Sequence, residues 1–315
     1  MPEDFLRQSM LSAQFADRTK AQPFLKWAGG KRQLISAIEA YLPAKYTEYY
    51  EPFVGAGAVL LALQPVNSVT DTRLSRNLTR RVLINDTNSE LINCYRVIKD
   101  RPQELLKLCQ QHQENNSKEY YARLRQQDRQ PGFAERPAVE RAARIIYLNK
   151  TCFNGLYRVN KRGQFNVPYG KYKNPTIADP TVIEAVSTYL NQARLRILNT
   201  DFEQALATAK PGAFIYLDPP YHPLSDTSSF TGYSLHGFGE AEQIRLKEVC
   251  DRLSDRGCQI LASNSAAPLI KSLYSGNRYK IVEVQATRAI NTVSSKRGKI
   301  NEVLIYNQYP LARSL

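Results

Sequence analysis

Residues 47–63 read TEYYEPFVGAGAVLLAL: an aromatic segment, a turn carrying Gly55 and Gly57, and an unbroken apolar run. That order predicts a strand, a tight loop and a helix in succession. Downstream, VLIND (82–86) supplies a second buried strand, and NSELINCYRVIKD (88–100) a helix with Leu91, Tyr95 and Ile98 on one face and Asn88 or Ser89 as its cap. Upstream, a helix starts within Gly29-Gly30-Lys31-Arg32, since Leu34, Ile35, Ile38 and Tyr41 follow at helical spacing and Pro43 closes it. After Pro180 the alternation resumes: helix TVIEAVSTYLNQA, strand LRILNTD, helix FEQALATA, strand AFIYLD, helix EAEQIRLKEVCDRL, strand QILASN, a helix from Pro268 to Tyr274, and two closing strands, YKIVEVQAT and NEVLIYN. Strand and helix taking turns at both ends predict an α/β fold with a largely parallel sheet. Residues 96–180 interrupt it and read as an inserted second domain, helical and charged to about residue 146. A basic, aromatic segment follows, with turn signals at Phe153-Asn154-Gly155 and Lys161-Arg162-Gly163, so a hairpin or an ordered loop is expected there.

The chain has 315 residues, with 43 Lys and Arg against 29 Asp and Glu, a formal charge of +14 at 43% apolar content. It is basic without the composition of disorder, which points to a folded protein with a polyanionic partner. The charge is uneven: Arg141, Arg144, Lys150, Arg158, Lys161, Arg162, Lys171 and Lys173 lie between Arg141 and Ala178 with no acid among them. A solvated basic surface is one reading of such a run. Interleaved Tyr147, Phe153, Tyr157, Phe165, Tyr169 and Tyr172 favour another, because bases and phosphates call for stacking surfaces beside cations. Cys94, Cys109, Cys152, Cys250 and Cys258 are odd in number and lack CxxC or Cys/His spacing, so neither a disulfide framework nor a zinc site is expected. The start MPEDFLRQSM lacks a signal-peptide core and no run of about eighteen apolar residues occurs, so a soluble, cytoplasmic protein without membrane contact is expected. For His112, His222 and His236 a surface position is the expectation, which leaves few candidates for a triad or a metal.

Ligands of open parallel sheets bind where strands give way to loops. Three such places stand out. Glu51-Pro52-Phe53-Val54-Gly55-Ala56-Gly57 is a G-x-G turn that lets a ligand approach the backbone, but Leu60 stands where a dinucleotide fingerprint requires Gly or Ala. Asp86, ending its strand, is placed either to accept from ribose hydroxyls or to cap the following helix. Asp218-Pro219-Pro220-Tyr221 follows a buried strand directly. The exocyclic amine of adenine is a poor nucleophile because its lone pair is delocalised into the ring. Accepting its hydrogens on the Asp218 carboxylate and the Pro219 carbonyl would localise that pair; the prolines fix the backbone, and Tyr221 would stack on the base. No metal is needed.

FLKWAGGK (24–31), EPFVGAG, IND, NKTCFNGLYRVNKRGQFNVPYGKYK (149–173), NTDF and LDPPY together resemble the Dam-type (D12 class) DNA adenine N6-methyltransferases, including the GATC methylases of restriction-modification systems. The blocks run in order from about residue 22 to the end. The resemblance implies a Rossmann-like, S-adenosylmethionine-dependent methyltransferase domain (21–95 and 181–315) and an inserted, mostly helical target-recognition domain (96–180) with a basic hairpin loop, after an N-terminal arm (1–20). It implies double-stranded DNA as substrate, GATC as usual target, and a separately acting cognate endonuclease as companion. Trp27, Ala28, Gly29, Lys31, Glu51, Pro52, Phe53, Gly55 and Gly57 would then line the donor site, with Asp86 at the ribose or adenine end, Asp201 and Phe202 beside the donor's adenine, and Asp218 shared with the target. Asp218, Pro219, Pro220 and Tyr221 would hold a target adenine that has left the duplex, since its amine is unreachable while stacked. Leu156 and Arg158 match base-reading positions, and Arg158 suits a bidentate contact to guanine. Lys26 and Pro168 would face bases, Phe153 would wedge near the flipped adenine, Asn154 would contact a phosphate, Asn160 would join the DNA contacts, and Lys161, Arg162, Lys171 and Lys173 would attract phosphates. The basic excursion from Pro65 to Arg81 departs from the family's spacing and reads as a surface insertion.

Three rivals carry different consequences. A methyltransferase acting on RNA adenine or on cytosine N4 keeps the donor, but the cytosine enzymes more often carry Ser where Asp218 stands. A DNA-binding module without catalysis is opposed by intact Asp218, Tyr221, Trp27 and Lys31. A nicotinamide-dependent oxidoreductase is disfavoured by Leu60 and by the Asp-Pro-Pro-Tyr turn.

Overall fold

Seven strands form one sheet in the order β3-β2-β1-β4-β5-β7-β6. They are β1 (Glu48–Glu51), β2 (Arg81–Asn85), β3 (Arg194–Leu198), β4 (Phe214–Leu217), β5 (Gln259–Ser265), β6 (Tyr279–Thr287) and β7 (Lys299–Asn307). The helices are α1 (Ile35–Ala40), entered through a 3-10 turn at Lys31–Leu34, α2 (Ala58–Leu63), α3 (Ser89–Asp100), α4 (Pro102–Glu114), α5 (Lys118–Gln126), α6 (Ala138–Thr151), α7 (Pro180–Gln192), α8 (Phe202–Leu206), α9 (Glu240–Asp255) and α10 (Pro268–Leu273). The structure, a computed structural model, describes residues 21–27, 31–65, 81–192, 194–224, 237–287 and 299–312. The N-terminal arm, Ala28, Gly29, His236 and all but the two ends of the basic excursion lie outside the described residues. Among those residues no helix is long and apolar enough to cross a membrane.

The chain divides into two units. The first, a sheet unit, comprises Lys31–Val54, Arg80–Thr87 and Arg196–Leu315. β1 pairs in parallel with β2 and β4, and β4 in parallel with β5, whereas β7 is antiparallel to both β5 and β6. The sheet is therefore parallel from β2 through β1 and β4 to β5 and antiparallel at the β7–β6 edge. Every residue of β4 is buried, as expected of a central parallel strand covered on both faces. Tyr50, Ile215, Leu217, Ile260, Ala262 and Ile305 alternate onto one face and pack with Phe202, Leu206, Leu246 and Leu253 from α8 and α9. The chain runs outward to opposite sides from β1 and β4, so the carboxyl ends of these neighbours mark the switch point of the sheet.

The helical unit comprises Met1–Gly30, Gly55–Thr79 and Asn88–Leu195, wider than the 96–180 stretch read from the sequence. α6 is its axis, in contact with α3, α4 and α5 and buried along most of its length. Asn88 caps α3 by accepting from the Leu91 amide, and Ser117 caps α5 by accepting from Tyr120. After α6 the basic segment forms an ordered loop, in which the only antiparallel pairings are the isolated bridges Cys152↔Tyr169 and Val159↔Phe165.

Several readings of that segment need correction. Tyr147 and Phe165 are core residues at 0% and 1% exposure, so they offer no stacking surface. Arg144, 2% exposed, pairs with Asp128 at 2.9 Å and is unavailable to a polyanion. His112 is half-buried rather than on the surface, packed between Tyr120 and Tyr147 with Nδ1 2.7 Å from the Tyr120 hydroxyl. Asp128 lies outside the basic run and Tyr147 on a different helix from His112, so local charge or aromatic patterning does not report these contacts.

Candidate active site

At the end of β4, Asp218 sits in a dense polar setting within the sheet unit. The Lys31 Nζ, on a residue only 4% exposed, lies 2.9 Å from its Oδ1. Ser263 of β5 donates from Oγ to the same Oδ1 at 2.9 Å, and its Oγ is also 3.1 Å from the Tyr216 hydroxyl. Both donors use Oδ1, and no hydrogen bond to Oδ2 occurs among the described residues. Burial raises the Asp218 pKa, while Lys31 and Ser263 pull it down. The Lys31 ammonium also lies 4.5 Å from the ring centroid of Tyr221, whose hydroxyl donates to Glu302 Oε2 at 2.7 Å.

The turn after Asp218 is fixed from below. Gln243 of α9 donates to Pro220 O at 2.9 Å and accepts from Asn264 at 3.1 Å, while Asn264 Oδ1 accepts from the His222 amide. Pro219 and Pro220 have no N–H of their own, so an acceptor-rich, rigid turn results. Sequence reading named the turn but missed Gln243, Ser263 and Asn264. The signal for the last two was the run of polar residues ending an otherwise buried strand, QILASNS.

At the neighbouring strand ends, Glu51 is buried and its Oε2 accepts from the Tyr49 hydroxyl at 2.6 Å. Asn85, also buried, donates to the carbonyls of Pro52 and Thr200 and accepts from the Thr200 amide. It ties the ends of β1 and β2 to the loop after β3. Asp86 is partly exposed beyond it and does not cap α3, since Asn88 does. Asp201 caps α8 by accepting from Glu203 and meets Arg245 at 2.7 and 2.9 Å. The Arg245 bonds hold the Asp201 carboxyl below its ordinary range. Phe202 lies 5.4 Å from Phe53 and 5.9 Å from Phe238 by ring centroids, with the Arg245 guanidinium 4.1 Å from its own centroid. Phe53, Asp86 and Asp201 are partly exposed and have the chemistry to take an adenosine, a ring for the base and carboxylates for hydroxyls and amine, whereas Phe202, expected beside that base, is buried at 3% exposure.

In the helical unit, Trp27 stacks on Tyr157 at 5.1 Å and 28°. The turn glycines serve internal packing. A Cβ on Gly57, whose φ is +74°, would stand 2.5 Å from the Tyr95 hydroxyl, and that hydroxyl donates to Gly55 O. Asn149 of α6 joins two segments 123 residues apart, accepting from the Lys26 amide and donating to the carbonyls of Lys26 and Gly155. Gly155, at φ +62°, leaves room for the Lys26 stem, which a Cβ would meet at 2.3 Å. The Lys26 ammonium lies 4.6 Å from the Tyr172 centroid.

Along the loop, Phe153 is 43% exposed, and Asn154 is held at φ +55°. Leu156 is half-buried, while Arg158, Lys161 and Pro168 are exposed. Arg158 donates from Nε to Asn166 Oδ1 at 2.8 Å and from Nη2 to Asn166 O at 3.3 Å. Asn160 holds the turn, accepting from the Arg162 and Gln164 amides and donating to Gln164 Oε1.

A family model for the D12 class N6 adenine-specific DNA methyltransferases matches residues 27–290. The chain is 46% identical over 291 residues to Type II methyltransferase M1.LlaDCHI of Lactococcus lactis subsp. cremoris, covering 92% of this chain and 97% of that one. It is 41% identical over 302 residues to Type II methyltransferase M.MjaIII of Methanocaldococcus jannaschii, covering 91% and 99% respectively. With the DNA adenine methylase of Vibrio cholerae it shares 35% identity over 289 residues, covering 90% and 95%.

Proposed function

The chain belongs to the D12 class of N6 adenine-specific DNA methyltransferases, and from that membership we propose that it methylates adenine N6 in double-stranded GATC sites, with S-adenosylmethionine as donor and the target base turned out of the duplex. The observation that carries the reading is Asp218. Its Oδ1 is held by Lys31 and Ser263, which leaves Oδ2 as one acceptor, and the carbonyl of Pro219, the next residue, as the other, for the two hydrogens of an exocyclic amine. Accepting both draws the nitrogen toward a localised lone pair. Tyr221, anchored through Glu302, gives the base a flat surface, and such stacking contributes about 1–3 kcal/mol per base.

S-adenosylmethionine, when bound, would supply the electrophilic methyl group. In the sheet unit, Phe53 would flank its adenine, backed by buried Phe202, with Asp201 for the amine, Asp86 for the ribose hydroxyls, and Glu51 and Pro52 at the end of β1. Lys31 balances the charge of Asp218 and opposes the rise that burial gives its carboxyl. In the helical unit, Trp27, Gly55 and Gly57 keep the donor roles that the family implies. We assign target recognition to the loop after α6, with Arg158 and Leu156 on bases, Phe153 as wedge, and Lys26 and Pro168 beside them. A cognate endonuclease acting separately is a further part of this reading, suggested by relatives with Type II names.

Labelled S-adenosylmethionine incubated with short duplexes, with and without GATC, tests this. Label is expected only in GATC duplexes and only in N6-methyladenine; label at cytosine, in RNA, or nowhere would overturn it. Asp218→Ala should abolish transfer while donor binding persists.

A further inference from the structure

The loop proposed to read bases has no strand ladder, so something else must hold its shape. Four bonds from α5 and the turn that follows it do so. Tyr121 donates its hydroxyl to Val167 O at 2.7 Å, and Arg125 reaches the same carbonyl at 3.2 Å. Arg129 donates to Phe165 O at 2.8 Å, and Asp128 Oδ2 accepts from the Phe165 amide at 2.8 Å. All four go to backbone atoms of residues 165 and 167. Between them stands Asn166, the residue that holds the Arg158 guanidinium along its Nε–Nη2 edge.

Asp128 is itself locked. Arg144 contacts its Oδ2 at 2.9 Å, donates to the carbonyls of Leu124 and Arg125, and lies over the Phe133 ring. A bond between an ionised acceptor and a backbone N–H is shorter and stronger than a neutral one. The chain of support therefore runs from buried Arg144 to Asp128, to the Phe165 amide, to Asn166 and so to Arg158. With its Nε–Nη2 edge on Asn166, Arg158 keeps its end-on Nη1–Nη2 edge for a partner, and a fixed edge suits bidentate reading of guanine.

We propose that Asp128, assisted by Tyr121, is a positioning residue for target-base selection: it sets the backbone of residues 165–167 and, through Asn166, the orientation of Arg158. This rests on the base-reading role assigned to Arg158.

The test compares kcat/KM on the preferred duplex with kcat/KM on duplexes altered at one base pair each, for Arg158→Ala, Asp128→Ala, Tyr121→Phe and the Arg158→Ala/Asp128→Ala pair. Asp128→Ala is expected to lower discrimination roughly tenfold at the base pair where Arg158→Ala lowers it, within the range of a single base contact. Tyr121→Phe is expected to do so more weakly, and the pair to show no further loss beyond Arg158→Ala. An equal fall on every duplex, or unchanged discrimination in folded Asp128→Ala, overturns the proposal. Should Asp128→Ala fail to fold, unchanged discrimination in Tyr121→Phe overturns it instead. If Arg158→Ala itself costs no discrimination, the base-reading role fails and the clamp fails with it. Loss in Arg158→Ala alone sinks only the clamp.

Discussion

Burial pushes the Asp218 carboxyl above its ordinary pKa of 3.8, and Lys31 and Ser263 oppose that shift without cancelling it. The acceptor form is the carboxylate, so methyl transfer falls as pH drops through the raised value. The acid limb of a kcat profile is expected to lie above the ordinary value of 3.8. Ser263→Ala removes one stabilising hydrogen bond to the anion, so the limb moves higher still and kcat at low pH drops roughly threefold or more, the equivalent of one bond of about 0.5–1.5 kcal/mol. An unmoved limb would make Ser263 merely a packing residue. For stability the sign is reversed: a carboxyl with a raised folded pKa favours the fold in acid, and that contribution is lost as pH rises from 3.8 through the folded value. Asp218 and Tyr221 could be read from sequence because the chemistry names an acid and an aromatic in a proline turn. Ser263 was not, since it lies 45 residues further on, and the polar run that ends its strand does not say which carboxylate it meets.

At the scale of elements, α4 carries an acid-sensitive contact. His112 is held neutral by burial, its pKa lowered to about 4 from 6.5. The unfolded chain binds a proton that the folded chain refuses, so stability is fully present above pH 6.5 and is lost as pH falls through 4. The loss amounts to at most about 3 kcal/mol, less to the extent that solvent reaches the ring. Urea unfolding at pH 7 and pH 5 checks this: the native chain should lose stability at the lower pH, and His112→Gln should show a smaller difference between the two. Equal losses in both would place the acid sensitivity elsewhere. The elements themselves were legible where local rules act, as in the Asn88 cap of α3 and the charge-free strand β4. The loop after α6 was less so, because its shape depends on Asp128, Arg129 and Asn149 as well as on its own hydrogen bonds.

Over the whole molecule, the +14 charge divides into structural and available parts. Arg144 belongs to the core and Arg141 pairs with Glu90 at 3.6 Å, whereas Lys161, Arg162, Lys171 and Lys173 are exposed. Replacing those four by Ala is expected to flatten the slope of log affinity against log salt by about 3 to 4, at about 0.9 per phosphate contact, with base preference kept. Binding to short duplexes between about 50 and 200 mM salt measures it; an unchanged slope would place the phosphate contacts elsewhere. The sign and rough site of this charge were plain in the sequence, but which cations are free depends on partners far along the chain. A different consequence follows from the five thiols, all of them buried. Burial raises every one of their pKa values, so a thiol reagent reaches them only when the surrounding structure opens. Cys94, Cys109 and Cys152 belong to the helical unit, Cys250 and Cys258 to the sheet unit. The native chain thus carries its own opening clocks, one set in each unit, and alkylation rates followed by peptide mapping would time the two independently.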